Sequence, residues 1–276
     1  MEIIRLLELV AVGLIAGTWG SLIGAGGGFL IVPILLFLYR DLSAAGATAV
    51  SLVAVFANGL SGAAAYARLR LIDYGLGLLF VAATLPGAVA GALLVNYIDK
   101  GPFQIVFGSL LGLVAIYLFV KPRSPQPAAA KTTGKSRALT DALGRHYRYS
   151  VHRPLGTAIT FLVGFLASML GVGGGIFSVP AFVTLLGIPI QVAAATSQFM
   201  LVGTSFVASA TNVIEGDLQG WWAAAIALAI GSLAGGQIGP RIGQKFGSAW
   251  LSFALSSGLL LVAVRLVWNG LTVVPR

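Results

Sequence analysis

The chain contains no cysteine in 276 residues, which removes disulfides, thiolate nucleophiles and thiol-ligated metals from consideration. Charge is nearly as scarce. Only 9% of the residues are Asp, Glu, Lys or Arg, while 58% are hydrophobic, too little polar surface to cover a soluble globule of this size. The two histidines, His146 and His152, both lie between apolar blocks, so no apolar segment holds an imidazole that could activate a serine. Every Asp and Glu sits at a segment edge or in a loop except Glu8, about two turns into the first segment. The expectation is therefore neither an intramembrane protease nor any other enzyme, with no cofactor and no buried proton relay.

What fills the chain instead is a series of apolar runs, the longer of them able to cross a hydrocarbon core of roughly 30 Å. The reading is an all-α polytopic membrane protein. The first run opens with Met1-Glu2 rather than a basic region and is expected to be a retained span, not a signal peptide. Five segments fall at about 3–23, 29–39, 43–67, 74–96 and 102–120, and five more at 155–170, 176–187, 190–214, 220–240 and 247–269, separated by glycine, proline and charge signals.

Between the two sets, residues 121–153 hold eight Lys or Arg and one Asp, most of the net charge of +9. A basic loop between hydrophobic blocks marks the cytoplasmic face, with anionic lipid as its neighbour. It is not the shaped basic surface that nucleic acid requires. The loop is expected to be mobile and polar, with a short amphipathic helix around Leu139 to Tyr149. The domains are then 1–120, a basic cytoplasmic linker at 121–153, and 154–276.

Gly24 to Pro33 reads GAGGGFLIVP, and Gly171 to Pro180 reads GVGGGIFSVP. Three consecutive glycines break a helix, and broken backbone at membrane depth must be buried in protein or line a cavity. The halves match further, Gly17 with Gly164 and Ser21 with Ser168, so they are internal repeats. Five segments per repeat is an odd number, and the second copy must enter from the opposite side. Arg68, Arg70, Arg241 and Lys245 then fall inside and Glu215 and Asp217 outside, as the positive-inside tendency asks. If each glycine break is re-entrant, the count is eight spans rather than ten. The fold expectation is two inverted-topology repeats with glycine-broken helices near the midplane.

A helix restarting after such a break offers unpaired amides and the positive end of its dipole to an anion. The expected site is thus the amides of Gly26, Gly27 and Gly28 and of Gly173, Gly174 and Gly175, helped by Ser51, Thr196, Ser197 and Gln198 at the start of the segment that follows. Gly24, Gly171, Pro33 and Pro180 are expected to shape the breaks. Gly13, Gly17, Gly20 and Gly24, four residues apart, read as close-packing positions, and Tyr66, Tyr74, Trp221 and Trp222 as interface anchors.

The duplicated G-x-G-G-G-x-x-x-x-P and the Thr196-Ser197 pair resemble the sulfite exporter TauE/SafE family, also called the toluene sulfonate uptake permease family, over about Leu6 to Trp268. The first copy departs at Ala49-Val50-Ser51, where Thr-Ser is expected. The resemblance implies a secondary transporter in the bacterial inner membrane that moves sulfite or organosulfonates, in the export direction, by alternating access. Its expected partners are the small sulfur-containing anion and membrane lipid, with homo-oligomerisation left open and no nucleic acid. An anion channel and a non-transporting assembly subunit are the alternatives.

Overall fold

The computed structural model describes residues 2–39, 41–120, 135–243 and 248–272. The first half folds as α1 (Glu2–Ile23), α2 (Gly28–Leu38), α3 (Ala44–Arg68), α4 (Tyr74–Leu94) and α5 (Lys100–Val120). The second folds as α6 (Arg153–Met169), α7 (Gly175–Thr184), α8 (Ile190–Glu215), α9 (Trp222–Gly243) and α10 (Ser248–Thr272). Among the described residues, α1, α3, α4, α5, α8 and α9 are long and apolar enough to cross a membrane, and the protein is an all-α polytopic membrane protein. The helix starts follow local chemistry: Ser43 accepts from the Gly46 amide at 3.0 Å and Asp73 from the Leu76 amide at 3.0 Å, each an N-cap that satisfies a first-turn donor.

Packing is dominated by small residues. α1 lies along α9, and a methyl added at Gly235 would stand 2.5 Å from the Thr18 amide, one at Gly239 2.5 Å from the Thr18 carbonyl. α4 lies along α6 in the same manner, with Gly164 against the Thr84 carbonyl at 2.5 Å. Lipid tails give helices no hydrophobic reason to associate, so close backbone approach and interhelical hydrogen bonds supply the cohesion. The expected close packing of Gly13, Gly17, Gly20 and Gly24 holds, each abutting neighbouring backbone. The remaining major contacts pair α3 with α8, α5 with α10, α3 with α9 and α4 with α8. Exchanging α1–α5 for α6–α10 leaves this set of pairings unchanged.

Two features depart from the sequence reading. Residues 135–151 form an antiparallel hairpin, β1 (Lys135–Thr140) and β2 (His146–Val151), with Arg137 opposite Tyr149, instead of an amphipathic helix. The residues that turn inward are Tyr147, Tyr149 and Val151, a period of two and not 3.6. The rest of the expected mobile linker, 121–134, lies outside the described residues. Tyr66 is not an interface anchor: it is buried, and its hydroxyl donates to the Ser21 carbonyl at 2.9 Å, tying the end of α3 to the end of α1. Tyr74 and Trp222 are half exposed, as anchors require.

Candidate functional site

Both glycine runs turn the chain back on itself by the same backbone device. Gly24 and Gly171 take left-handed φ of 76° and 70° and close the preceding helix, with the Ala25 amide on the Gly20 carbonyl (2.6 Å) and the Val172 amide on the Ala167 carbonyl (2.9 Å), a glycine C-cap. Two more left-handed glycines follow in each copy, Gly26 and Gly27 at 79° and 83°, Gly173 and Gly174 at 81° and 97°. No residue with a Cβ takes up three such conformations cheaply.

The result is a pair of helical hairpins entering from opposite ends of the bundle. α1 runs alongside α9, yet Tyr39, just past α2, stacks on Trp221 just ahead of α9 (ring centroids 5.0 Å), so α2 returns to the end where α1 began. Likewise Leu186, past α7, sits 3.4 Å from a methyl added at Gly156 near the start of α6. The tips meet at the middle. Gly26 and Gly173 both face Val55 and Leu201, which lie halfway along α3 and α8.

Each tip is then fastened by a serine from the other half. Ser51 Oγ donates to the Gly171 carbonyl (2.7 Å) and Ser197 Oγ to the Gly24 carbonyl (3.0 Å). Gly28 abuts Gly171, and Gly175 abuts Gly24, backbone against backbone. The breaks therefore sit in contact, buried in protein, where non-helical backbone is tolerated.

The lining distinguishes the copies. At the start of α7 lies a water-sized cavity of about 10 Å³, bounded by Gly173, Gly174, Gly175 and Ser178 from the second tip, by Ser197, Met200 and Thr204 from α8, by Thr84 from α4, and by Val163 and Gly164 from α6. Donation within α7 begins at Phe177, whose amide bonds to the Gly174 carbonyl (3.0 Å), so the Gly175 and Ile176 amides are spare first-turn donors. Ser178 and Ser197 hydroxyls lie 2.6 Å apart. Because the single Ser197 proton goes to Gly24, the donor of that pair is Ser178. Thr84 and Thr204 hydroxyls are 3.0 Å apart. Four hydroxyls and a helix N-terminus thus converge, and among the described residues no charged one lines the space.

Of the residues expected from sequence, Gly173, Gly174, Gly175 and Ser197 line this cavity. Gly26, Gly27, Gly28 and Ser51 form the other tip, where Ile31 fills the place that Ser178 holds in the second copy and is fully buried. Thr196 and Gln198 point elsewhere: Thr196 Oγ1 accepts from the Asp73 amide (3.2 Å), and Gln198 Nε2 donates to Asn58 Oδ1 (2.8 Å). Ser178 and Thr84 escaped the sequence reading. The signal was present in the repeat itself, since Ser178 is a hydroxyl in GIFSVP where GFLIVP has isoleucine.

Comparison with known proteins finds a family of membrane transporters. The family model for the sulfite exporter TauE/SafE matches residues 9–266. The chain is 35% identical to "Probable membrane transporter protein YunE" of Bacillus subtilis (strain 168) over 269 residues, 95% of this chain and 97% of that protein. It is 25% identical to a "Probable membrane transporter protein" of Xylella fastidiosa (strain 9a5c) over 271 residues, 98% and 97% of the two chains. No solved structure matches. With the glycine turns in both halves and a match that spans nearly the whole sequence, the chain belongs to the sulfite exporter TauE/SafE family.

Proposed function

We propose that the protein is a secondary transporter that carries a small sulfur-containing oxyanion, sulfite or an organosulfonate, across the bacterial inner membrane. The observation that carries this reading is the meeting of two glycine-turned helical hairpins at mid-bundle with a hydroxyl-lined cavity at the start of α7. Residues 1–120 and 154–276 act as inverted repeats, and alternating access is the rocking of one against the other around the tips. The basic segment 121–153 faces the cytoplasm, since Arg68 and Arg241 share the end of the bundle where its hairpin, 135–151, packs. Backbone amides and neutral hydroxyls, arranged where the α7 dipole is positive, hold the anion without a buried cation.

Binding requires movement. A volume of about 10 Å³ accommodates one water and no oxyanion, so the α6–α7 tip must draw away from α4 and α8 to admit the solute. The lining has no titratable group to couple a proton, which favours transport down the anion's own electrochemical gradient. An inside-negative potential supplies about 2.3 kcal/mol per elementary charge per 100 mV, and that drives an anion outward. The test is sulfite flux in proteoliposomes with an imposed potential. Saturable efflux that follows the potential supports the reading; linear flux up to high concentration assigns a channel, and no flux with no thermal shift by sulfite, taurine or sulfoacetate overturns transport of this class.

A further inference from the structure

The hairpin of residues 135–151 packs against α4, α7 and α8, three of the helices that wall the cavity. Its inward face, Tyr149 and Val151, joins Leu76 and Phe80 of α4, Val179 and Phe182 of α7, and Met200 of α8 in one buried cluster. Met200 is itself a wall of the cavity, and Val179 follows the wall residue Ser178. Between cavity and hairpin stand Phe80 and Phe182, both fully buried, with ring centroids 5.1 Å apart. An apolar column thus runs from the cavity outward, and the hairpin closes its end.

The hairpin is held at three points. Its second strand runs through His152, the N-cap of α6, straight into the helix that bears Val163 and Gly164. Its face is pinned to the start of α4 by Asp73: Arg137 pairs with one carboxylate oxygen, and Tyr149 donates to the other at 2.7 Å. Asp73 also accepts from the Leu76 amide, and its own amide donates to Thr196 of α8. The tip adds one backbone bond, from the Ala142 amide to the Leu69 carbonyl at 3.0 Å. The tip turn is rigid, because Asp141 accepts from the Leu143 and Arg145 amides at 2.9 and 2.8 Å. A stiff hairpin fused to α6 and latched to α4 is a strap across the joint that has to open for an oxyanion to enter.

We propose that this hairpin is the gate of the transport pathway on its side of the membrane, with Asp73, Arg137 and Tyr149 as the latch. The proposal rests on the transporter reading for its purpose, and its geometry stands apart from it. Arg137 and Tyr149 are positioning residues, since neither touches the cavity. Loss of Arg137 leaves a buried carboxylate short of its cation, so the latched state loses most.

The absence of cysteine gives a direct test. Val163→Cys places one thiol in the cavity wall, and a membrane-impermeant maleimide applied from the hairpin side reads how often that wall is reached. Adding Arg137→Met should raise the labelling rate about tenfold or more, as expected for loss of one charge-assisted hydrogen bond. Tyr149→Phe should raise it less, and Arg137→Lys should return it toward the parent. Labelling from the opposite side should not rise. Equal rates from the hairpin side in the parent and Arg137→Met proteins overturn the gate, as does a rise from both sides together, which is general loosening. Flux is measured in the same vesicles: labelling that responds to the latch in a protein that moves no sulfite sinks the transport reading and keeps the gate.

Discussion

The contact between the two tips makes a demanding prediction about one methyl group. A Cβ on Gly175 would lie 2.6 Å from the carbonyl carbon of Gly24, and closer still to its oxygen. Both partners are backbone, so no side chain can swing aside, and ordinary contact begins at 3.4 Å. Gly175→Ala must therefore push the tips apart by about 1.5 Å, an overpacking change costing about 1–3 kcal/mol. The same shift draws the Gly24 carbonyl off Ser197 Oγ, which now stands at 3.0 Å, and one lost hydrogen bond adds about 1 kcal/mol. A loss of about 3 kcal/mol corresponds to a fall in melting temperature of roughly 6–12 °C at this chain size. Gly28→Ala meets Val172 Cα at 2.8 Å and the Gly171 carbonyl and should behave alike. One separation relieves both clashes, so the double substitution should cost less than the sum by more than about 0.5 kcal/mol. Gly220→Ala is the converse control, since Gly220 is left-handed at φ 79°, as Gly175 and Gly28 are not, but has nothing within 4 Å and should lose only about 1–2 kcal/mol of backbone strain. The assay is thermal unfolding in detergent beside sulfite flux in vesicles. If Gly175→Ala melts with the parent, or if the two alanines add fully, the tips do not bear on one another and the central contact is wrong.

Three further outcomes follow from single side chains. Ser178→Ala removes a donor that faces the cavity without touching the tip bond of Ser197, so anion affinity should fall by about 10- to 100-fold, the worth of a hydrogen bond to a charge, while loss of its bond to Ser197 lowers the melting temperature by only about 2–4 °C; unchanged affinity in a titration removes Ser178 from the site. Asn58 donates to the Gly17 and Ser232 carbonyls at 2.9 and 3.0 Å, joining α1 to α9 through α3, and Asn58→Ala removes both bonds and leaves Gln198 Nε2 only the Asn58 carbonyl, so about 2–4 kcal/mol should be lost; a melting shift under 2 °C would be inconsistent with that network. Asp217, between α8 and α9, has its carboxyl pushed up from the ordinary 3.8, first by burial and then by Glu215, against a lowering hydrogen bond with Asn96. The fold thus favours its protonated form, and stability falls as pH rises through the folded value. Asp217→Asn should melt higher than the parent at pH 7, with the difference fading as pH is lowered toward 3.8; a constant difference across that range would locate the effect elsewhere.

The helices and the breaks were legible because their causes are local. Left-handed glycine at three positions in ten residues is a backbone requirement that no other residue meets, and the repeat of Gly24 to Pro33 at Gly171 to Pro180 announced a pair. Segment limits read from charge and proline fall within a few residues of the helices observed. What could not be read was facing. Thr196, Ser197 and Gln198 are consecutive on α8, and at about 100° per residue only Ser197 looks onto the tips, while its neighbours serve the Asp73 loop and Asn58. Tyr66 has the composition of an interface anchor, and its hydroxyl found a helix end instead. The hairpin was not legible because Leu139, Ala142, Leu143 and Arg145 favour helix, whereas the burial of Tyr147, Tyr149 and Val151 against α4, α7 and α8 is a tertiary decision that overrides propensity.

The difference between the two copies bears on how a charge-free site can serve an anion. Both tips present the same amides and the same serine clasp, so the backbone alone does not choose between them. At the first tip Ile31, fully buried, stands in the place of Ser178; around the second, Ser178, Thr84 and Thr204 bring hydroxyls to the cavity. A hydroxyl can turn its proton away from a carbonyl or a neighbouring hydroxyl and toward an incoming oxyanion, which an isoleucine cannot do. The resting bonds, Ser178 to Ser197 and Thr84 with Thr204, keep those donors satisfied while the site is shut, so closing it leaves no orphaned polar group to repel the packing. A lysine or arginine in the same place would bind the anion harder and release it less readily, and with no anion present it would be an unpaired charge at membrane depth. On the proposed transport reading, a neutral ring self-satisfied when closed and anion-satisfied when open would let both states stay close in free energy, the balance that turnover between two faces of a membrane requires.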